Sequence, residues 1–264
     1  MPAFLHSAIW SAQCWLLDHA GLRVERVRRR VKRREEGGRF AYQRRHIDFG
    51  LPPGARVLDI GSGGDPFPYA TTLVDRFPGP TPHRHAPFVR DGREFIEADV
   101  CDLPFTDRSF DFVYCAHVLE HVPDPLAACR EIIRVGRRGY IETPTLAKDM
   151  LFAWNQPDMH KWHVVAIADQ LCFFELSRRQ CAGIGSAIWQ RLILGPWEHP
   201  LQDAFFDNQD IFNVMFLWRE TFNAHVFRLD GRVQTLHSRT QPDTASTGRL
   251  QPALAVPIAS GEPR

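Results

Sequence analysis

The stretch that decides the fold is Arg-Val-Leu-Asp-Ile-Gly-Ser-Gly-Gly at residues 56–64. Its apolar half predicts a short buried strand, and its glycines predict a turn where a ligand can approach the backbone, because glycine has no Cβ. A dinucleotide-binding Gly-x-Gly-x-x-Gly turn would need glycine at position 66, where the chain has Pro66. A P-loop would need Gly-Lys-Ser/Thr, which does not follow here. The turn therefore does not match a pyrophosphate site, and taken alone it is also compatible with a purely structural strand-to-helix turn.

The chain that follows alternates short β-rich runs with turns. Asp65-Pro66 has the form of a helix N-cap followed by proline, and Asp124-Pro125 predicts a second helix that runs to about Val135 and ends at Gly136. Further strands are predicted at residues 71–75, 95–99, 110–117 and 139–143. This order predicts an open parallel α/β sheet, in which ligands bind beyond the carboxyl ends of the strands.

Two of these strands end in an aspartate. Asp75 is placed to accept hydrogen bonds from a ribose diol, which favours a nucleoside with free 2′ and 3′ hydroxyls. Asp99 is placed to accept from the exocyclic amine of adenine, with the backbone N–H of Val100 near a ring nitrogen. Either acid alone could cap a helix or a turn. Two acids at successive strand ends after a glycine turn favour a nucleoside site.

The ordered motif series resembles that of class I S-adenosylmethionine-dependent methyltransferases, in particular the "methyltransferase type 11" branch. The resemblance covers about residues 50–145. It is carried by Val57-Leu-Asp-Ile-Gly-Ser-Gly63, Leu-Val-Asp75, Ala-Asp99-Val-Cys-Asp-Leu-Pro-Phe105, Ser-Phe-Asp-Phe-Val113 and His117-Val-Leu-Glu-His-Val-Pro-Asp-Pro125. It implies a Rossmann-like, doubly wound, seven-stranded sheet of order 3-2-1-4-5-7-6, with strand 7 antiparallel and an insertion after strand 5.

The resemblance also implies S-adenosyl-L-methionine as cofactor and assigns contacts to it. These are Asp59, Gly61, Ser62 and Gly63 beside the methionyl part, Asp75 at the ribose, Asp99 and Val100 at adenine, and His117 near the sulfonium. Two features depart from the family pattern. Asp65 stands where the family has a third glycine, and ten residues between Ile60 and Thr71 are too few for the usual long first helix. Residues 76–94 likewise predict a loop rather than a helix.

Methyl transfer needs an acceptor held in line with the methyl group and, for some acceptors, a general base. Histidine has the ordinary pKa suited to proton transfer near neutrality. The candidate catalytic residues are His117, His121, Glu142, His160 and His163. Each also has a structural reading, as a cap or a packed side chain. Neither His83/His85 nor His160/His163 has a nearby cysteine or a matched second pair, so the sequence predicts no metal site.

Composition limits the remaining classes of function. The formal charge of +1 excludes a globally basic nucleic-acid coat, although residues 1–45 alone carry 11 Arg/Lys and 4 Asp/Glu. The six cysteines form no Cys-x-x-Cys pair, no apolar run approaches a membrane span, and no basic segment precedes an apolar stretch near residue 1. These features predict a cytoplasmic protein with reduced thiols.

Three regions flank or interrupt the predicted methyltransferase domain at 46–235. Residues 1–45 predict an amphipathic helix and a basic segment, interpreted as a lid over the cofactor, with RNA phosphates or an anionic membrane surface as alternatives. Residues 146–205 form the insertion after strand 5, and residues 236–264 predict a disordered tail. Within and after the insertion, the patterns predict a hairpin at 162–175, a helix at 208–220 and a strand at 222–229. This strand is a candidate for one of the last two strands of the central sheet.

The resulting hypothesis is a methyltransferase that acts on an oxygen or nitrogen of a small molecule or of a glycan or lipid precursor. Two alternatives stay open. One is an RNA methyltransferase that uses the basic N-terminus, which the scarcity of lysine disfavours. The other is a catalytically degenerate cofactor-binding module, which the intact Asp75 and Asp99 disfavour. Peripheral membrane contact is compatible with the sequence, and the oligomeric state is not predicted.

Overall fold

A computed structural model describes residues 39–81, 87–152, 159–177, 180, 205 and 207–237. Its elements, in chain order, are α1 (Arg39–His46), β1 (Val57–Ile60), β2 (Thr72–Asp75), β3 (Glu94–Glu97), β4 (Phe112–Ala116), α2 (Pro125–Val135), β5 (Arg138–Pro144), α3 (Leu146–Phe152), β6 (Trp162–Ile167), β7 (Gln170–Glu175), α4 (Gln209–Phe212), β8 (Asn213–Arg219), β9 (Asn223–Phe227) and β10 (Val233–Leu236).

The central sheet has the strand order β3-β2-β1-β4-β5-β8. Its first five strands are parallel, and β8 runs antiparallel to β5. The predicted α/β class, the order 3-2-1-4-5, the antiparallel strand beside strand 5 and the insertion after strand 5 are confirmed. Within the described residues the sheet has six strands rather than the predicted seven, because β8 follows β5 at the edge and no further strand pairs with β8.

One face of this sheet is covered by α2 and by a second, four-stranded sheet of order β10-β9-β7-β6. Asp124 caps α2 by accepting from the backbone N–H of Ala127, and Gly136 ends the helix, as predicted. The apolar side of α2, including Ile132, shares one core with Val113 of β4 and Val226 of β9. The helix is therefore buried between the two sheets.

The opposite face of the central sheet is covered by α1 and by the turn that follows β1. Phe67 of that turn stacks on Tyr114 of β4, with ring centroids 4.0 Å apart. Gln43 of α1 donates to the Tyr114 hydroxyl at 3.0 Å and to Glu142 of β5 at 2.8 Å. No helix forms among the described residues between β1 and β2, as the ten residues between Ile60 and Thr71 predict. The interpretation of Asp65-Pro66 as the start of a helix is wrong, because residues 61–70 form turns and bends.

The prediction of a helix over residues 208–220 is wrong for most of its length. Helix α4 ends at Phe212, and the next seven residues form β8. The apolar positions fit a helical period, but Phe216 and Trp218 are buried while Leu217 between them is exposed, which is the alternation of a strand. Trp218 lies opposite Gly139, where a side chain would collide with it.

The second sheet corrects one further expectation. The hairpin predicted over 162–175 is confirmed as β6 and β7, which pair antiparallel. A strand forms within residues 222–229, as predicted, but β9 pairs with β7 and β10 rather than with the central sheet. The predicted place of this strand in the central sheet is therefore wrong. The insertion forms the hairpin of β6 and β7, and β9 pairs with β7 in this second sheet.

Several predictions concern residues outside the described ones. The amphipathic helix and most of the basic segment fall in 1–38, most of the tail in 238–264, and much of the insertion in 153–158 and 178–204. The proposed domain boundaries stay a prediction. Among the described residues, no helix combines the length and the apolar character needed to cross a membrane.

Candidate functional site

A cavity of about 640 Å³ lies beyond the carboxyl ends of the parallel strands. Its wall contains the glycine turn after β1, the ends of β2 and β4, the loop after β3, and residues Met159 and Lys161 of the insertion. This volume lies in the range of ligand pockets, about 300–1,000 Å³. The residues that the sequence assigns to a nucleoside therefore meet at one cavity.

The glycine turn is held against the next strand by its own backbone. Gly61 has φ +74°, and its N–H and that of Ser62 both donate to the carbonyl of Val74, at 2.7 and 3.2 Å. A Cβ at Gly61 would lie 2.2 Å from Cγ2 of Val118, so this position requires glycine for both conformation and space. Ser62 lines the cavity, and its buried hydroxyl has no hydrogen-bonding partner among the described residues.

Asp75 connects the turn with the end of β2. One carboxylate oxygen accepts from the backbone N–H of Gly63 at 3.0 Å, and the other accepts from the N–H of Phe77 at 2.8 Å. Both oxygens keep further lone pairs, since a carboxylate has about four acceptor positions. Asp75 therefore has a fixed orientation in the cavity wall while it retains the capacity to accept from a ligand.

Asp99 follows β3, the neighbouring strand of β2, and also lines the cavity. Its Oδ1 accepts from the N–H of Cys101 at 2.9 Å, and its Oδ2 pairs with Arg76 at 2.7 Å. Val100 is buried and also lines the cavity. Phe77, whose ring is half exposed, belongs to the same wall. Arg76 and Phe77 were not predicted as site residues, although both directly follow Asp75 in the chain.

Asp59 occupies a different position from the other assigned residues. It is 2% exposed and does not line the cavity. Its carboxylate accepts from the N–H of Phe67 at 2.7 Å, which fastens the short turn to β1. In this structure Asp59 lies beneath the turn and shapes the cavity through it.

His117 ends β4 and lies between two buried glutamates. Its backbone adopts φ +58°, uncommon for a residue with a side chain, and its N–H donates to the carbonyl of Glu142. Ring atom Nε2 lies 3.1 Å from Glu142, and Nδ1 lies 3.4 Å from Glu120. Glu142 accepts hydrogen bonds from Gln43 and from the Tyr140 hydroxyl. It does not line the cavity itself, but it contacts His117, which does.

His121 and His160 meet beside Glu120. Their ring centroids are 4.6 Å apart. Backbone bonds from the insertion bring them together, because Lys161 donates its N–H to the carbonyl of Glu120 at 2.7 Å. Of the pair, His121 lines the cavity and His160 lies behind it.

The charges of this cluster support one another. Burial alone would raise the pKa of Glu120, but the side chain of His117, whose Nδ1 lies 3.4 Å from Oε1, and the charges of His121 and His160 outweigh it and lower that pKa to about 2. Burial alone would lower the pKa of His160, but Asp149 and Glu120 outweigh it and raise it. Glu120 and Asp149 were not among the predicted residues. The signal that was available is the position of Glu120 directly before His121.

His163 is the one predicted catalytic candidate that the structure separates from the rest. It lies on β6, does not line the cavity and stacks against Phe174. Burial lowers its pKa. Trp162 and Val164 on either side of it face the core, so His163 points to the other face of the second sheet.

Comparisons with known proteins agree with the motif series. Residues 58–141 match the family model described as a methyltransferase domain. An "uncharacterized methyltransferase" of Mycobacterium sp. (strain KMS) is 37% identical over 93 residues, which cover 33% of this chain and 37% of that protein. A ubiquinone biosynthesis O-methyltransferase of Cereibacter sphaeroides is 28% identical over 176 residues, which cover 57% of this chain and 69% of that protein. The match to the first curated relatives thus spans little more than a third of their length.

Solved structures show a similar, local match. A crystal structure of a SAM-dependent methyltransferase from Methanosarcina mazei aligns with 22% identity and a TM-score of 0.28, covering 36% of this chain and 55% of that one. The segment that the family model matches contains the glycine turn, Asp75, Asp99 and His117. The resemblance drawn from the sequence is confirmed by the family model.

Proposed function

We propose that this chain, whose residues 58–141 belong to the methyltransferase domain family, transfers a methyl group from S-adenosylmethionine to an oxygen or nitrogen of a small molecule or of a glycan or lipid precursor. The observation that carries the proposal is the cavity at the carboxyl ends of the strands. It collects the glycine turn, Asp75, Asp99 and His117 in the order that the motif series implies.

The residues present fit the cofactor. Ser62 lines the cavity beside the glycine turn, and its buried hydroxyl, which has no hydrogen-bonding partner among the described residues, is the group we assign to the methionyl part. Asp75 is oriented to accept from a ribose diol, and Asp99 with Val100 forms the adenine side. Phe77 offers an exposed aromatic ring there, suited to stacking on a planar base.

When bound, the cofactor supplies a methyl group that its sulfonium already makes electrophilic. The protein then has to align the acceptor and exclude water, and alignment can contribute about 7–11 kcal/mol to the lowering of the barrier. Met159 and Lys161 bring the insertion to the cavity wall. The insertion is therefore the proposed acceptor side.

His117 is the proposed general base. It lines the cavity, its side chain is 30% exposed, and buried carboxylates face both of its ring nitrogens. Both ring nitrogens are turned to these carboxylates, so the ring takes up a proton from the acceptor after one nitrogen turns from its glutamate to the cavity. His121 is the second candidate in the wall, whereas Glu142 and His160 act through these two histidines.

The acceptor class is supported by the size of the cavity and by the relative that acts in ubiquinone biosynthesis as an O-methyltransferase. To test the function, the purified chain is incubated with cell extract and cofactor labelled with deuterium in the methyl group. Mass spectrometry should reveal a low-molecular-mass product heavier by the labelled methyl group. The folded Asp75→Ala variant is the control, in which the labelled product should be strongly reduced. Labelled RNA as the sole product would contradict the proposed acceptor class, and the absence of any labelled product would contradict transfer.

A further inference from the structure

A cluster of metal-binding side chains adjoins the cavity without being explained by cofactor binding. Glu120, His121 and His160 each offer one ligand atom, and these atoms lie within 4.8 Å of one another. Nε2 of His121 is 3.8 Å from Oε1 of Glu120. Such separations suit atoms that surround one ion, because zinc–nitrogen and zinc–oxygen bonds are about 2.0–2.2 Å long.

Glu120 is the strongest sign that the cluster accepts a ligand. Its side chain is 1% exposed, yet neither carboxylate oxygen has a hydrogen-bonding partner among the described residues. A buried carboxylate without hydrogen bonds is costly unless a positive charge compensates it. The neighbouring histidines provide part of that charge, and a divalent cation bound between Glu120 and the histidines would provide direct ligation.

Both histidines are oriented through their second nitrogen. Nδ1 of His121 lies 2.9 Å from the carbonyl of Met159, and Nδ1 of His160 lies 2.9 Å from the carboxylate of Asp149. In a neutral ring that donates from Nδ1, the lone pair is on Nε2. Metal-binding histidines characteristically donate their other N–H to a carbonyl or carboxylate in this way. Helix α3 supplies Asp149 and the insertion supplies His160, so elements outside the matched domain complete the arrangement.

We infer that Glu120, His121 and His160 form a site for one divalent first-row transition-metal ion, for which Zn²⁺ is the best match. Imidazole nitrogens favour such ions over Mg²⁺ and Ca²⁺, which prefer oxygen ligands. Three protein ligands of the types His, His and Glu leave one position of a tetrahedral zinc ion without a protein ligand, as in catalytic rather than structural zinc sites.

The location gives the ion a role at the cavity. His121 lines the cavity, and Glu120 also contacts His117, the proposed base. An ion held there would be a Lewis acid close to the acceptor side, which favours an acceptor with a hydroxyl group that can coordinate. This role rests on the proposed function, whereas the binding of the ion does not.

The test is a Zn²⁺ titration of the chelator-treated full chain, in competition with a chromophoric zinc chelator and without cofactor. The wild type is expected to bind one high-affinity ion per chain. His160→Ala and Glu120→Gln should each weaken binding by at least about 100-fold, more than the 10- to 100-fold typical of residues that only orient a ligand. Asp149→Asn, which acts through His160, should fall within that 10- to 100-fold range.

The matched control is His163→Ala, which removes a histidine three positions from His160 that lies outside the cluster. Its zinc affinity should equal that of the wild type. Circular dichroism of each variant establishes folding, and S-adenosylhomocysteine binding measured on the same samples separates the metal site from the cofactor site. The inference is overturned if the wild type binds no Zn²⁺ tightly, or if folded His160→Ala and Glu120→Gln proteins retain wild-type affinity.

Discussion

Asp75 offers the sharpest test of the cofactor side, because its two carboxylate oxygens already organise the cavity wall. Asp75→Ala removes the acceptors of the Gly63 and Phe77 N–H groups together with the proposed ribose contacts. A hydrogen bond to a charged group contributes about 1.5–3 kcal/mol. Since 1.4 kcal/mol corresponds to a tenfold change in affinity, we expect the Kd for the cofactor to rise about 10- to 150-fold. Asp75→Asn should lose less, because one acceptor oxygen survives.

Isothermal titration calorimetry with S-adenosylhomocysteine measures this change, and denaturant unfolding confirms that the variants are folded. The matched control is Asp111→Ala. Asp111 also accepts from a backbone N–H, that of Arg56, but at the opposite end of β1 from the cavity. Its loss should leave the Kd unchanged. An unaltered Kd in folded Asp75→Ala protein would refute the ribose role of Asp75.

Three further predictions concern the turn, the loop after β3 and the proposed base. Gly61→Ala should lower the free energy of unfolding by at least about 1 kcal/mol. A left-handed backbone costs a residue with a side chain about 1–2 kcal/mol, and the new Cβ would collide with Val118. A urea unfolding midpoint equal to that of the wild type would contradict this. Glu131 of α2 accepts from the backbone N–H of Leu103 in the loop after β3 at 2.8 Å, and Glu131→Gln should destabilise the fold by about 1.5–3 kcal/mol at neutral pH. The reason is that hydrogen bonds from Arg134 lower the pKa of Glu131 in the folded state, so its contribution is present above its unfolded pKa and disappears as pH falls through the folded value; a destabilisation independent of pH would be inconsistent with this. His117→Ala should lower kcat by about 10²–10⁴-fold with a smaller effect on cofactor affinity, and unchanged turnover would remove the base role.

Much of the fold could be predicted because its signals are local. The caps of α2 at Asp124 and Gly136 and the hairpin at 162–175 depend on nearby residues, and both are confirmed. The error at 208–220 arose because the same apolar positions fit a helix or a strand, and only pairing with β5 decides between them. The second sheet could not be foreseen, since β9 finds its partner β7 more than forty residues earlier in the chain.

In the candidate site, too, residues with a local sequence signal could be predicted, and residues brought together by distant parts of the chain could not. Gly61, Asp75 and Asp99 could be identified because each lies at the carboxyl end of a predicted strand or directly after it, and parallel strands place these ends at one edge of the sheet. The environment of Glu120 could not be identified, because His160 lies forty residues away and reaches it only through the bond between Lys161 and the Glu120 carbonyl. For the same reason His160 was considered together with its sequence neighbour His163 as a pair of metal ligands. In the structure His160 lies in the cluster with Glu120 and His121, and His163 does not.

The most direct test of the account is calorimetric titration of the wild-type chain with S-adenosylmethionine and S-adenosylhomocysteine. The cavity that joins the glycine turn, Asp75 and Asp99 predicts saturable binding of both compounds with one site per chain. A folded sample that shows no binding heat at millimolar cofactor, at two temperatures chosen to expose any coincidental zero in the enthalpy, would contradict it.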